Sequence, residues 1–476
     1  MKDERSIIAR YGDLVSNPQE FFDACSRPLP TTGWINPCKP RVSGDFPSDA
    51  SREKMSWNQD GFKTESPLNE GILADFLTGR LVFQEESAMT SVHLMDLQPG
   101  QKILDLCAAP GNKTAQLSTR LGESGMVIAN DISKARLGVL HGTIDRLGLA
   151  NVATTAYDAR YFPIPEELFD FVLADVPCSC EGTSRKHPGV LSRNNADERK
   201  RLVRNQIDIL ERALLCVRPG GSVIYSTCTY APEENEQVVH RVLERLPKGF
   251  SCDLLPVVIP GLITSPGLTS WNGEVFDSSM SNCARIWPHQ NDTGGFFLAV
   301  LRRSPAAFEA ASSLLPSFHE PISTSEWPWK LHAFEQNDLL PWRRTQFSNK
   351  YDRLVGAQCV PPATLAVQSI GMTGLNLKSD HPKFSTALAT KIGHLARSAW
   401  AEIKSESTLD YWNRQTVPYI SSLAPVENTK TVIVRCGGLS LGLGSISPLA
   451  RSLESRFPKV WGGLQIAERI HQIRST

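Results

Sequence analysis

Between Lys102 and Leu301 short apolar runs alternate with helical patterns, and few folds accommodate that alternation. Residues Lys102 to Leu106, Met126 to Asn130, Val152 to Ala156, Phe169 to Asp175 and Ser222 to Thr227 read as five strands, with Phe296 to Leu301 as a late sixth. Lys113 to Leu121, Ser133 to Leu147, Asp197 to Val217 and Glu233 to Leu246 read as helices. In the third of these, Val203, Ile207, Leu210 and Leu214 recur at helical spacing. Pro219-Gly220-Gly221 reads as its stop signal. Strands separated by helices predict a parallel, doubly wound α/β sheet.

A chain of 476 residues exceeds one ordinary core, so several domains are expected. The α/β unit spans 91–305, preceded by a 1–90 region of mixed helix and loop signals. A Pro- and Trp-rich linker is expected over 306–345, including Pro316, Trp327 and Trp342. Thr431 to Arg435 followed by Gly437-Gly438 suggests a small β-containing module within 346–476. Fifty basic residues balance fifty acidic ones, so any nucleic-acid affinity must come from local basic patches. No apolar run is long enough for a membrane helix, and the charged N-terminus lacks a signal-peptide core. The eleven scattered cysteines form no zinc-knuckle spacing; reduced thiols, a cytoplasmic location and no metal are expected.

In an open α/β sheet the turn after the first strand lies at the ligand crevice. Here it is Asp105-Leu106-Cys107-Ala108-Ala109-Pro110-Gly111-Asn112-Lys113, whose small residues let backbone N–H groups approach a ligand. Asp131, Asp158 and Asp175 follow the next strand ends. Each singly reads as a helix cap or loop aspartate. Together they suit a ribose diol, an adenine amino group and a reaction centre. With no G-x-G-x-x-G present, the set fits S-adenosylmethionine better than a dinucleotide.

Two cysteines stand on the ligand side of predicted strands: Cys178 in Asp175-Val176-Pro177-Cys178-Ser179, and Cys228 in Tyr225-Ser226-Thr227-Cys228-Thr229. Carbon 5 of cytosine is a weak nucleophile; a thiolate added at carbon 6 makes an enamine able to take a methyl group. Asp175 is placed to hydrogen-bond or protonate ring nitrogen 3, and a second thiol can assist the final elimination. The target base must also be extruded or single-stranded.

With Phe83 to Met89, Asp105 to Thr114, Asp175 to Ser179, Arg185-Lys186, Tyr225 to Asn235, Pro288-His289 and Gly295-Phe296-Phe297 in place, the chain resembles the Nol/Nop/Sun family of RNA cytosine-5 methyltransferases over roughly residues 20–303. Within that family it looks most like the bacterial enzymes acting on 16S ribosomal RNA. The resemblance implies a Rossmann-like class I methyltransferase sheet flanked by a small N-terminal α/β RNA-binding region and a C-terminal PUA-like RNA-binding module. It implies Cys228 as nucleophile, Cys178 in product release and Asp175 in catalysis. Cofactor contacts carried over are Cys107, Ala108, Ala109, Pro110, Gly111, Asn112, Lys113, Asp131, Asp158 and Asp175. Cys180 is a departure, since the family usually has glycine there. Arg185 and Lys186 are expected to bind RNA phosphate, as is a basic stretch through Arg193, Arg199, Lys200, Arg201 and Arg204. That stretch also reads as a solvated helix face paired with Asp197 and Glu198.

The expected partner is 16S ribosomal RNA or the small ribosomal subunit, with tRNA second, no membrane, and a monomeric enzyme. A non-catalytic RNA-binding assembly factor is the competing class; the two cysteines with Asp175 argue against it. An exocyclic-amine methyltransferase would carry an Asn/Asp-Pro-Pro-aromatic loop where this chain has Asp-Val-Pro-Cys.

Overall fold

The structure is a computed structural model describing residues 10–39, 53–64, 70–122, 124–193, 196–305, 342–347, 351–356, 361–362, 364–376, 383–423, 431–447, 449–458 and 461. Most of the expected 306–345 linker, including Pro316 and Trp327, lies outside the described residues; Trp342 begins a strand that runs to Phe347.

An antiparallel sheet opens the fold: β1 (Thr31–Ile35), β2 (Glu53–Lys54), β3 (Gly61–Thr64) and β4 (Leu81–Phe83), in the order β2-β3-β1-β4. It is preceded by α1 (Pro18–Ser26), whose N-cap Asn17 accepts from the Glu20 N–H, and followed in part by α2 (Glu70–Leu77) and α3 (Glu86–His93). The central sheet contains β5 (Lys102–Asp105), β6 (Met126–Asn130), β7 (Val152–Thr155), β8 (Phe169–Asp175) and β9 (Val217–Thr227). These five lie in the order β9-β8-β5-β6-β7 and all pair in parallel.

Alternate residues of each strand point to opposite faces, and two cores follow from that. Ile103, Val127, Leu173 and Ile224 pack on one face with Leu117 of α4 (Asn112–Leu121) and Leu140 and Ile144 of α5 (Lys134–Leu147). Leu104, Ile128, Val172 and Val223 pack on the other with Ile207, Leu210 and Leu214 of α6 (Ala196–Cys216) and Val238 and Val242 of α7 (Glu236–Arg245).

The expected all-parallel sheet is correct only for its centre. Phe296–Arg303 pairs antiparallel with β9, and Val367–Ile370 pairs antiparallel with β7. A parallel neighbour requires a long crossover, whereas Ala284–Ile286 turns back through a short connection to pair antiparallel with Phe296–Arg303. The Pro219-Gly220-Gly221 stop signal is also placed differently. The helix ends at Cys216, and the Pro-Gly-Gly residues bulge within β9, where the register jumps from Phe169–Val217 to Phe171–Ser222.

Within the expected 346–476 module, residues 400–455 build a six-stranded sheet in which Thr431–Cys436 and Leu439–Ser447 form a hairpin. Its two-residue turn is Gly437-Gly438, both at positive φ. This C-terminal sheet shares a core with the N-terminal region: Leu73 and Leu77 of α2 pack with Ala401, Ile403, Val432 and Leu441. Among the described residues no helix is long and apolar enough to cross a membrane.

Candidate active site

Strand β5 lies between β6 and β8, so the loops leaving β5 and β8 diverge and open a crevice at their carboxyl ends. A cavity of about 330 Å³ lies there, lined by Asp105, Cys107, Ala108, Ala109, Pro110, Asn112, Lys113, Asp175, Lys186, His187, Cys228 and Gly294, among others. Of the strand-end residues singled out in the sequence, Asp175 and Cys228 line this cavity, as do Cys107 to Lys113 apart from Gly111. Asp131, Asp158 and Cys178 do not line this cavity.

The first loop is thin for local reasons. Gly111 caps α4 at φ +111°, and a Cβ there would lie 2.5 Å from Leu140 Cδ1. The Ala108 N–H donates to Asn130 O at 2.8 Å, tying the loop to the end of β6. Asp105 is buried and accepts from Thr114 Oγ1 at 2.7 Å. Burial pushes its carboxyl up to about 7. Lys113 Nζ donates to Asp175 Oδ2 at 2.7 Å and lies 5.1 Å from the Phe296 ring centroid. Burial works against the Lys113 ammonium, but Asp175 outweighs it and holds the pKa above the ordinary lysine value. Ser226 Oγ donates to the other Asp175 oxygen at 2.8 Å. Glu85, from the Gln-Glu motif, caps α3 through the Ala88 N–H and accepts from Gly294 N at 2.8 Å. It thereby ties the Gln-Glu motif to Gly294, 209 residues away and next to the Gly295-Phe296-Phe297 motif, on the cavity wall.

The other two aspartates are held locally. Asp131 is buried, accepting from Ser133 N at 2.9 Å and Ala109 N at 3.3 Å and pairing with Arg136 at 3.2 Å. It fastens the end of β6 to the loop after β5. Asp158 caps the short helix Ala159–Tyr161 and pairs with Arg160 at 2.6 Å, and the hydrogen bond from Arg160 holds its carboxyl below the usual range.

The loops after β8 and β9 bring three thiols together. Cys178 Sγ lies 3.5 Å from Cys228 Sγ and 4.0 Å from Cys180 Sγ. The Pro232-Glu233-Glu234-Asn235-Glu236 segment clamps both loops. Glu234 accepts from Ser179 N at 2.9 Å and from Gln206 Nε2 at 2.9 Å, and Gln206 also donates to Pro177 O. Asn235 accepts from Thr227 Oγ1 at 2.5 Å and donates to Thr229 O at 3.0 Å. Cys180 sits at φ +59°, a left-handed backbone that favours glycine. Its thiol lies well below the usual range because Cys178 and Cys228 can donate to it. Cys178 is raised by the same hydrogen bond to Cys180, with Cys228 and burial adding to it. For Cys228, donation from Cys178 favours the thiolate, but Cys180 and burial outweigh it and leave the thiol raised.

Arg185 corrects a sequence expectation. Its side chain has 0% exposure and donates to Arg27 O, Pro28 O, Thr293 O and Asp292 Oδ1 at 2.7–3.0 Å. Those bonds use its donors, so it anchors the loop and is closed to phosphate. Lys186 and His187 are exposed on the cavity wall. In the basic stretch, Arg199 pairs with buried Glu181 at 2.8 Å, and Glu181 also accepts from Tyr11 at 2.5 Å. Lys200–Asp197 and Arg201–Glu198 are exposed helix pairs at 3.7 and 3.8 Å, the solvated-face reading. The side chain of Arg193 lies outside the described residues. A second groove, about 820 Å³, runs between α6 and α7, with Arg199, Lys200, Arg204, Arg241, Arg245 and Arg10 on its walls. Sequence reasoning missed Asp105, Glu85 and Arg241 as site or groove residues. Only the motif membership of the first two offered a signal.

Residues 92–302 match the family model described as 16S rRNA methyltransferase RsmB/F. The ribosomal RNA small subunit methyltransferase F of Escherichia coli strain K12 is 34% identical over 300 residues, covering 60% of this chain and 60% of that protein. The counterpart from Shigella sonnei strain Ss046 matches to the same extent. The chain thus spans 60% of the length of these curated relatives. Among solved structures, a methyltransferase homolog protein from Pyrococcus horikoshii is 28% identical with a TM-score of 0.51, covering 60% of this chain and 90% of that one. NSun6 from Pyrococcus horikoshii with SFG shares the fold at 20% identity and a TM-score of 0.51, covering 64% and 98%. Residues 92–302, which hold the thiol loops and the crevice, are thus similar to the RsmB/F methyltransferases.

Proposed function

We propose that the protein methylates carbon 5 of a cytosine in RNA, with 16S ribosomal RNA as substrate and S-adenosylmethionine as methyl donor. The observation that carries this reading is the pair of thiols 3.5 Å apart at the ends of adjacent strands β8 and β9, with Cys228 on the same cavity as the Lys113–Asp175 pair. A structural cysteine has no need of such a neighbour.

The crevice residues fit the cofactor. Asp105 and Asp175 offer two carboxylates to a ligand carrying an ammonium and a sulfonium, and Cys107 to Lys113 form a wall thin enough for close approach. Asp131 supports that wall from behind, and Asp158 stands at the next strand end. When bound, S-adenosylmethionine supplies an electrophilic methyl group. Cys228 gives up its thiol proton to solvent and its Sγ adds to carbon 6 of the base, and carbon 5 then takes the methyl. Charge developing on the ring at nitrogen 3 is met by Lys113 and Asp175, which already share a hydrogen bond at 2.7 Å. Loss of the carbon-5 proton to solvent re-forms the ring double bond and expels the Cys228 sulfur as thiolate, and Cys178, in contact with it, assists by donating to that departing sulfur.

Basic side chains supply the RNA footprint. Lys186 and His187 border the cavity, and Arg204 and Arg245 stand on the wall of the α6–α7 groove as further phosphate contacts in this reading. The N-terminal antiparallel sheet and the C-terminal module are further RNA-binding elements in this reading. The test is methyl transfer from labelled cofactor to small-subunit RNA, assembled small subunits and tRNA, followed by nuclease digestion. Labelled 5-methylcytidine from small-subunit RNA is expected. Label confined to tRNA, or in another nucleoside, contradicts the substrate or the reaction respectively.

A further inference from the structure

The reaction proposed above uses two thiols, and this chain places a third among them. The Sγ atoms of Cys178, Cys180 and Cys228 all lie within 4.8 Å of one another, with two of the separations at 3.5 and 4.0 Å. A tetrahedral zinc ion with Zn–S bonds of about 2.3 Å requires sulfurs about 3.8 Å apart. The cluster therefore matches three corners of such a site with shifts of a few tenths of an ångström for the two closer contacts.

The loops that carry these thiols are braced. Gly182 N donates to Cys228 O at 2.9 Å, Thr183 N to Cys180 O at 2.9 Å, and Glu234 and Asn235 clamp the segments on either side. All three cysteines are partly accessible, so an ion has a way in. Cys228 lines the cavity, so the cluster borders the crevice on one side. Cys180 occupies a left-handed position where glycine would be easier, so its side chain is present against local preference.

We propose that Cys178, Cys180 and Cys228 form a binding site for a thiophilic divalent cation of the zinc type, and that its occupancy excludes the covalent step. Binding replaces thiol protons, which pass to solvent, with three sulfur–metal bonds. The Cys228 electron pair is then committed to the metal and withheld from carbon 6. Removal of the metal by a chelator restores it, with no change of oxidation state. The existence of the site stands independently of the proposed reaction; the exclusion rests on the role given to Cys228.

The experiment uses the full-length protein, reduced and freed of metal. Zn2+ is titrated in competition with a chromophoric chelator, and Cd2+ is titrated while the thiolate-to-metal charge-transfer band is followed. Wild type is expected to take up one equivalent with that band. Cys180→Gly and Cys180→Ser, each checked for a wild-type melting profile, are expected to bind at least about 100-fold more weakly, since even an outer-shell partner costs up to that much. Methyl transfer is assayed in parallel. Zn2+ at one equivalent is expected to silence wild type reversibly, while each variant keeps its own metal-free rate. Equal uptake by wild type and both variants, or uptake without the thiolate band, overturns the site. Wild type that binds the metal yet methylates no RNA even with chelator present leaves the site standing and removes the proposed function. RNA methylation with no metal uptake does the reverse.

Discussion

Four parallel strands of the central sheet are followed by carboxylates, yet those after β5 and β8 differ from those after β6 and β7. Asp105 and Asp175 end the two strands flanking the crevice and line its cavity. Asp131 and Asp158, one and two strands further out, are engaged by backbone N–H groups and by Arg136 and Arg160. The residue type is the same in each case; the strand order decides the use. Where the order reverses, loops part and the carboxylates line the cavity, held by side chains from those same loops, Thr114 on Asp105 and Lys113 and Ser226 on Asp175. Where it does not, the next turn supplies donors and the carboxylate stiffens the wall. The inner pair is thus suited to charge and chemistry, and the outer pair to shape and modest binding energy.

That contrast can be broken at several points. The largest effect belongs to the inner strand ends. Cys228→Ser is expected to lower methyl transfer by roughly 10^4-fold or more, as loss of a nucleophile does elsewhere. Single-turnover assays with labelled cofactor measure this, and a variant within a factor of ten of wild type breaks the assignment of the β9 loop to chemistry. Arg185→Ala tests the loop's anchoring. It leaves the carbonyls of Arg27, Pro28 and Thr293 without their donor, at a cost of roughly 3 kcal/mol in chemical denaturation. RNA binding by the folded fraction is expected to stay unchanged, because the side chain never reaches solvent.

Asp105→Asn sharpens the comparison through pH. The Asp105 carboxyl is raised by burial to about 7, so below that value it is protonated in the free protein. Its folded pKa lies above the unfolded one. Its contribution to stability is therefore fully present below the unfolded value and lost as pH rises through about 7. Cofactor affinity is expected to run the other way, rising as pH passes through about 7 because a cationic ligand favours the ionised form. Calorimetric titration across that range should show the rise in wild type and a flat, weaker profile in Asp105→Asn. The smallest effect is assigned to Asp158→Ala, about tenfold in cofactor affinity with the maximal rate unchanged, the worth of one hydrogen bond. A loss as large and as pH-dependent as that of Asp105→Asn would erase the distinction between inner and outer strands.

Much of this is legible in the amino-acid sequence. The five parallel strands follow from apolar runs, and the crevice from where the small-residue turn falls. Long-range geometry was not legible. Arg185 looked like a phosphate ligand because its neighbours in sequence are basic, but its partners lie 107 to 158 residues away. Pro219-Gly220-Gly221 carries the local signature of a helix end, and only pairing with β8 makes it a bulge within a strand. The antiparallel edges depend on which strand returns beside β9 and β7, a choice that hydrophobic periodicity does not encode. Glu234 and Asn235 stand out as a motif, but Glu234's hold on the Cys178 loop needs the spatial meeting of residues 55 apart, whereas Asn235 reaches back only 8 and 6 residues to the Cys228 loop.

The most direct test of the account is to trap the covalent intermediate. Cys178→Ala, incubated with cofactor and small-subunit RNA, should yield a protein–RNA adduct that survives denaturing electrophoresis. After nuclease and protease digestion, mass spectrometry should place a methylated cytidine on the peptide containing Cys228. An adduct on Cys180 or Cys107, or active enzyme that forms none in either Cys178→Ala or wild type, would contradict the two-thiol reading of the site.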